Sequence, residues 1–257
     1  MLYITTDMFR ETIVVPEKGV SMKTEIPMRP IAYIETDYKE KFGIPRQSGR
    51  VPSVGRVVFL PSFRNPDALR EIEGFSHLWL LFDFSEAHRP EFSPTVRPPR
   101  LGGNRRVGVF ASRSPFRPNP IGLSSVRLLS VEHTENRGDV LVVSGADLLD
   151  GTPIFDIKPY LPSSDCHPDA TGGYADSGAC HRLSVDFPDS LLARIPPEKQ
   201  AALIAGIAED PRPSYQDDEH RLYHMRFADY DIAFTVSGDT ATVRDVAEVR
   251  SGKHERS

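Results

Sequence analysis

Short apolar runs separated by turn residues dominate the chain after residue 30. Gly55–Leu60, Phe75–Phe84, Val107–Ala111, Ile121–Val131, Val140–Ala146 and Thr152–Ile157 are rich in Val, Ile, Leu and Phe, and Gly, Pro or Asp bounds them. That pattern predicts strands. Asn136–Arg137–Gly138–Asp139 predicts a tight turn between two of them. One short helix interrupts the series, with Asn65 as its cap, Pro66 at its first position and Gly74 at its end. Pro159–Tyr160–Leu161–Pro162 closes the β run. Many short strands with few helices suit a closed or nearly closed β-barrel. A doubly wound fold would need strands alternating with helices.

The expected fold is mainly β, a barrel domain followed by a small α+β domain. Residues 1–29 read as an extension or arm, 30–162 as the barrel, 163–182 as a Ser, Asp, Gly and Ala-rich linker, 183–250 as the second domain and 251–257 as a tail. In the second domain Pro197–Ile207 predicts a helix, and Ala201, Ile204, Ala205, Ile207 and Ala208 form its packing face. Tyr223–Phe227, Asp231–Val236 and Ala241–Val249 predict strands, with Ser237–Gly238–Asp239 as a hairpin turn. A unit this small lacks room for a large core, so it is expected to pack on the barrel.

Composition narrows the class. No apolar stretch is long enough to span a membrane, and Asp7, Arg10 and Glu11 interrupt any signal-peptide pattern, so a cytoplasmic protein is expected. Cys166 and Cys180 are the two cysteines, which excludes a disulfide framework. Each precedes a histidine, but the spacing fits no common zinc pattern, and no metal is expected. His77 alternates with Leu78 and reads as a core histidine. The net charge of −5 argues against a nucleic-acid partner until its distribution is considered. Arg97, Arg100, Arg105, Arg106, Arg113, Arg117 and Arg127 fall in one stretch without Asp or Glu. A cationic surface on an acidic protein concentrates its field at one place, as a phosphate or nucleic-acid site requires.

The stretch Pro94–Leu123 sets those arginines among prolines and glycines. Prolines reduce the entropy lost when a loop orders. Gly102–Gly103 permit close backbone approach to a ligand. Arginine forks match phosphate and carboxylate oxygens.

Several longer motifs carry a resemblance. They are YKEKFGIPRQ (38–47), GFSHLWLLF (74–82), PTVRPPRLGGN (94–104), VGVFASRSPFRPNPIGLS (107–124), DLLDGTPIFDIKPYLP (147–162) and DPRPSY (210–215). In this order and spacing the chain resembles the TsaA-like family of tRNA (adenine-N6)-methyltransferases over about residues 31–249. The resemblance implies a β-barrel with a small C-terminal domain, S-adenosyl-L-methionine as methyl donor and no metal. It implies a homodimer with the donor near the subunit interface. The implied acceptor is N6 of threonylcarbamoyl-adenosine beside the anticodon of threonine tRNAs. The implied donor contacts are Pro45, Arg46 and Gln47; Ser85 and Glu86, with Ser where the family has His or Asp; Arg113; Leu123; and Ser144, Gly145, Ala146 and Asp147.

The chemistry of these residues agrees. Arg46 or Arg113 could pair with the donor's carboxylate. Asp147 could accept from its ribose hydroxyls or ammonium, or act only as a turn cap. Leu123 and Ala146 could cover adenine, with the backbone of Ser144–Asp147 reading its edge. Asn119 could offer a carbonyl to the target amine, or be a plain turn residue. Arg97, Arg100, Arg117, Lys158, Tyr160, Arg212 and Tyr215 are candidate RNA contacts, because splayed loop bases stack on aromatics and arginine planes. A non-catalytic RNA-binding module is the alternative. A phosphate-ester hydrolase finds no carboxylate or histidine cluster with metal spacing.

Overall fold

The computed structural model describes residues 26–98, 105–176, 182–212 and 218–249. Six strands hydrogen-bond in a closed barrel: β1 (Ala32–Glu35), β2 (Val54–Phe59), β7 (Gly138–Ser144), β6 (Ile121–Thr134), β3 (His77–Asp83) and β8 (Pro153–Pro159), with β8 returning to β1. Successive side chains point to opposite faces of a strand, and β3 shows this clearly. Leu78, Leu80 and Phe82 are buried inside, while His77, Trp79, Leu81 and Asp83 lie on the other face, half-buried. The barrel core adds Ile34, Val57, Val126, Leu141, Val143, Leu148 and Ile154. Burying each such side chain stabilises by about 1.5–3 kcal/mol. Gly122 on β6 makes room for the Phe82 ring, since a Cβ there would lie 2.2 Å from it.

The second unit is a four-stranded sheet ordered β10 (Tyr223–Phe227), β11 (Tyr230–Ser237), β12 (Thr240–Glu248), β9 (Ser184–Asp186). β9 pairs parallel to β12. Of three helices among the described residues, α1 (Pro162–Asp165) and α2 (Asp189–Leu192) are single turns and α3 (Pro197–Ala208) is the long one. α3 buries Ala202, Leu203, Gly206 and Ile207. None is long and apolar enough to cross a membrane.

The two units share side chains. Tyr38, from the segment between β1 and β2, is buried in the second unit's core with its ring edge-on to Phe227. The Ala228 amide donates to the Asp37 carbonyl at 2.7 Å, and Lys199 pairs with Asp37 at 2.6 Å. Glu209 is buried between Arg50 and Arg182. Burial alone would push its carboxyl up; hydrogen bonds from Arg50 and Arg182 outweigh that and hold it below its ordinary value.

Several local expectations are corrected. Residues 65–74 form no single helix. They form two 3-10 turns, Pro66–Leu69 and Ile72–Gly74, separated by Glu71 at φ 69°. The Asn65 cap does form, its side chain accepting from the Asp67 amide at 3.0 Å. Val107–Ala111 is not a continuous strand: β5 (Val107–Gly108) pairs with β4 (Thr95–Val96), and Val109–Ala111 turns away as 3-10 helix. Of the expected α3 face, Ile207 is buried and Ala205 packs against the core, but Ala201 is exposed and Ala202, Leu203 and Gly206 are buried instead. His77 is not a core residue; it is half-buried, 2.9 Å from the Ser76 hydroxyl.

Candidate active site

A cavity of about 650 Å³ opens where β3 ends and β6 begins. Its lower wall is Phe82, Gly122, Leu148 and Leu149, and its rim includes Ile121 and Leu123. Leu123 is 55% exposed and lines this opening. Three loops complete it: Ile44–Ser48 from between β1 and β2, Asp83–Ala87 after β3, and Ser112–Arg117 before β6.

The first loop is held by close backbone contact. The Gly49 amide donates to the Gly145 carbonyl at 2.8 Å, and the Gly145 amide to the Ser53 carbonyl at 2.9 Å. Gly145 has φ 86°, and a Cβ there would sit 3.0 Å from the Gly49 Cα. Glycine alone meets both demands. The loop then places Gln47 against Arg113, whose guanidinium donates to the Gln47 side-chain carbonyl.

Asp147 follows β7 and turns into the cavity. The Ser124 hydroxyl donates to its carboxylate at 2.5 Å. Burial pushes the Asp147 carboxyl above its ordinary range, against the hydrogen bond from Ser124 and the charge of Arg113. An incoming cation or hydroxyl donor would therefore find a poorly solvated acceptor with affinity to spare.

Of the expected donor contacts, Pro45, Arg46, Gln47, Ser85, Glu86, Arg113, Leu123 and Asp147 all line the cavity. Ser144, Gly145 and Ala146 do not. Ser144 is paired with Val54 and Arg127 in the sheet, Gly145 abuts Gly49, and Ala146 is buried in the barrel core. Arg46 is already engaged: its guanidinium donates to the carbonyls of Asp210 and Arg212 at 3.1 and 3.3 Å, tying the loop to the second unit. Glu86 pairs with Lys41 at 3.0 Å. Asn119 is exposed on the turn before Ile121, and its backbone carbonyl accepts from the Ile121 amide at 2.8 Å.

The expected RNA contacts are dispersed. Arg117 lines the cavity, but its guanidinium braces the loop by donating to the Ser112 carbonyl at 2.7 Å. Arg97 and Lys158 are exposed, and Lys158 pairs with Asp156 at 3.0 Å. Tyr160 packs against Trp79. Arg212 is committed to Asp210 at 2.8 and 3.0 Å and is only 11% exposed. Arg100 and Tyr215 lie outside the described residues, as do Gly102–Gly103 and Cys180–His181. Cys166 is exposed. Among the described residues no group of three or more His, Cys, Asp or Glu is placed to hold a metal ion.

Sequence reasoning missed Trp79, Phe82, Ser124 and Phe116 as cavity residues. For Phe116 a signal existed: an aromatic within an arginine and proline loop, 36% exposed under the Arg89 guanidinium at 3.6 Å.

Comparison with known proteins decides the family. Residues 33–166 match the tRNA-methyltransferase O (TrmO) N-terminal domain, and residues 181–249 match the TrmO C-terminal domain. The chain belongs to the TrmO family. The tRNA (adenine(37)-N6)-methyltransferase of Escherichia coli is 42% identical over 217 residues, spanning 80% of this chain and 92% of that protein. A Pseudomonas aeruginosa protein described as a putative S-adenosylmethionine-dependent methyltransferase is 43% identical over 212 residues, spanning 79% and 89%. A crystal structure of TrmO from Pseudomonas aeruginosa superposes with a TM-score of 0.72 at 35% identity, covering 90% of this chain and all of that one. Every residue that lines the cavity of this TrmO-family chain lies inside the matched N-terminal domain, and Arg46 also reaches the C-terminal one.

Proposed function

We propose that the protein transfers a methyl group from S-adenosyl-L-methionine to N6 of threonylcarbamoyl-adenosine beside the anticodon of threonine tRNAs. One observation carries the reading: Arg113 and Asp147 share a single cavity with an apolar wall of Phe82, Leu123 and Leu148. The donor offers a carboxylate, an ammonium, a ribose diol and a flat adenine, and each finds a chemical counterpart there. A volume of about 650 Å³ lies within the usual range for a pocket that encloses a small ligand. Relatives named for methylation of adenine 37 of tRNA, and for S-adenosylmethionine, support the same reading.

The donor, when bound, supplies a methyl carbon made electrophilic by its sulfonium. The chain's own work is then placement. Arg113, held by Gln47, would pair with the donor's carboxylate, and Asp147, held by Ser124, would accept from its ammonium or ribose hydroxyls. Leu123 would cover adenine. Pro45 and the Gly49–Gly145 contact keep the loop in register. Arg46 joins that loop to the second unit, so ordering one orders the other. Excluding water and aligning the acceptor amine supply most of what such a reaction needs from protein. Asn119 is the proposed acceptor for the amine's hydrogens, through its side chain or its carbonyl's second lone pair. Arg97, Arg100, Arg117, Lys158, Tyr160, Arg212 and Tyr215 are the proposed RNA contacts, of which Arg117 and Arg212 act chiefly as braces. Homodimerisation and a cytoplasmic location belong to the same proposal. A binding module without catalysis would not need an apolar cavity with opposed charges.

Mass spectrometry of nucleosides from tRNA incubated with protein and donor tests it. The expected product is threonylcarbamoyl-adenosine heavier by one methyl group. Unchanged nucleosides, with both substrates present and the protein folded, would refute the reaction. An Asn119→Ala variant that binds donor and tRNA normally and methylates at full rate would remove Asn119 from it.

A further inference from the structure

We infer that Trp79 is a stacking surface for an unpaired RNA base, held in position by Asp165. The inference rests on the RNA-methylating reading above and extends it to a residue with no role there. Trp79 lies on the outward face of β3 and lines the cavity. Its register neighbours on that face are Lys158 on β8 and Ser125 on β6, and two residues earlier on β3 His77 faces Arg127. Tyr160, just beyond β8, sets its ring 5.6 Å from the Trp79 ring and 6.2 Å from that of His77. Lys158 and Arg127 are exposed beside these rings. Open sheet faces that carry aromatic rings flanked by cations are what splayed bases stack upon.

Trp79 is not explained by packing. It is half-buried and belongs to neither hydrophobic core. Its orientation is nonetheless set. The indole Nε1 donates to Asp165 Oδ2 at 2.9 Å, and the same oxygen accepts from the Leu161 amide at 2.8 Å. These two donors hold the Asp165 carboxyl below its ordinary value, so it is an ionised acceptor at neutral pH. A ring fixed before the ligand arrives loses less entropy on binding.

The face also differs in place from the donor's proposed contacts. Strand order β7-β6-β3-β8 sets Asp147, after β7, on one side of β6 and β3, and Lys158 and Tyr160 on the other. The cavity joins the two. A base stacked on Trp79 would enter from the β8 side, with the backbone phosphates near Lys158 and Arg127. Paired bases cannot present a face in this way, so the occupant is a nucleotide of a single-stranded loop.

Trp79 is the chain's single tryptophan, which makes the test direct. Intrinsic fluorescence is titrated with an anticodon stem-loop RNA, and separately with S-adenosylmethionine alone. The expected result is quenching by the RNA beyond any change the donor causes. Trp79→Leu should raise KM for RNA about fivefold or more, a larger change than in donor affinity measured without RNA, and Trp79→Phe should restore much of the loss. Asp165→Ala leaves the indole present; its fluorescence anisotropy should fall and KM for RNA should rise. No RNA-dependent quenching, or Trp79→Leu and Asp165→Ala with wild-type KM for RNA, would overturn the inference while methyl transfer itself stands. Quenching by RNA without any methylated product would sustain the stacking surface and remove the catalytic reading instead.

Discussion

Gly145→Ala isolates the backbone contact on which the cavity depends. Two costs are separable there. At φ 86° an alanine pays for left-handed backbone, roughly 1–2 kcal/mol. Its Cβ would also lie 3.0 and 3.1 Å from the Gly49 Cα and amide nitrogen, which are backbone atoms that cannot rotate aside. Forcing such contacts apart adds about 1–3 kcal/mol. The sum is roughly 2–5 kcal/mol, which lowers Tm by about 10 °C in a chain of this size. Gly238 is the matched control. It has φ 54° in the β11–β12 turn with open space around the Cβ position, so Gly238→Ala pays the first cost only. Thermal unfolding and donor calorimetry on both variants distinguish the effects. Gly145→Ala should lose at least about tenfold in donor affinity, one decade being about 1.4 kcal/mol, because the displaced loop carries Pro45–Gln47. Gly238→Ala should lose none. Equal donor affinity in the two variants would refute the claim that the Gly49–Gly145 contact positions the site.

Asp147→Asn should raise Tm at neutral pH while costing donor affinity. The folded-state pKa of Asp147 is raised, so the wild type loses stability as pH rises through it; the variant's advantage should vanish below the ordinary carboxylate value of 3.8. Thermal melts across pH check this. Glu209→Gln should destabilise by about 3 kcal/mol, since it leaves Arg50 and Arg182 facing a neutral group at a site only 7% exposed. The depressed Glu209 pKa means that the wild-type contribution is present at neutral pH and fades in acid, so melts of variant and wild type should converge there. Arg113→Lys should weaken donor binding about tenfold by calorimetry, because a single ammonium cannot replace a fork that also holds Gln47.

How far these features could be read beforehand depends on the length and closeness of the interactions involved. β3 was legible because Leu78–Phe82 is an unbroken apolar run inside the expected strand Phe75–Phe84. β1 was not, because four residues are too few to show a period, and its pairing with β2 and β8 comes from distant parts of the chain. β9 has three residues and gains its strand character from β12. Residues 65–74 carry genuine cap and stop signals, yet Glu71 in the left-handed region divides them, which the residue type does not announce. In the site, Arg113, Gln47 and Asp147 were legible as members of motifs, but their meeting was not. Gly49 and Gly145 bring them together across almost a hundred residues of chain. Ala146 stays out of the cavity for a simple reason: it is buried in the barrel core, and the chain reaches the cavity only at Asp147. Trp79 alternates with Leu78 and Leu80 along β3, but the sequence does not say that its face stays half-open beside the cavity.

A crystal structure determined with S-adenosylmethionine bound would probe the account at its root. The prediction is electron density for the amino-acid end between Arg113 and Asp147, with adenine over Leu123. Well-ordered donor elsewhere on the protein, leaving Gln47, Arg113 and Asp147 without contact, would contradict it.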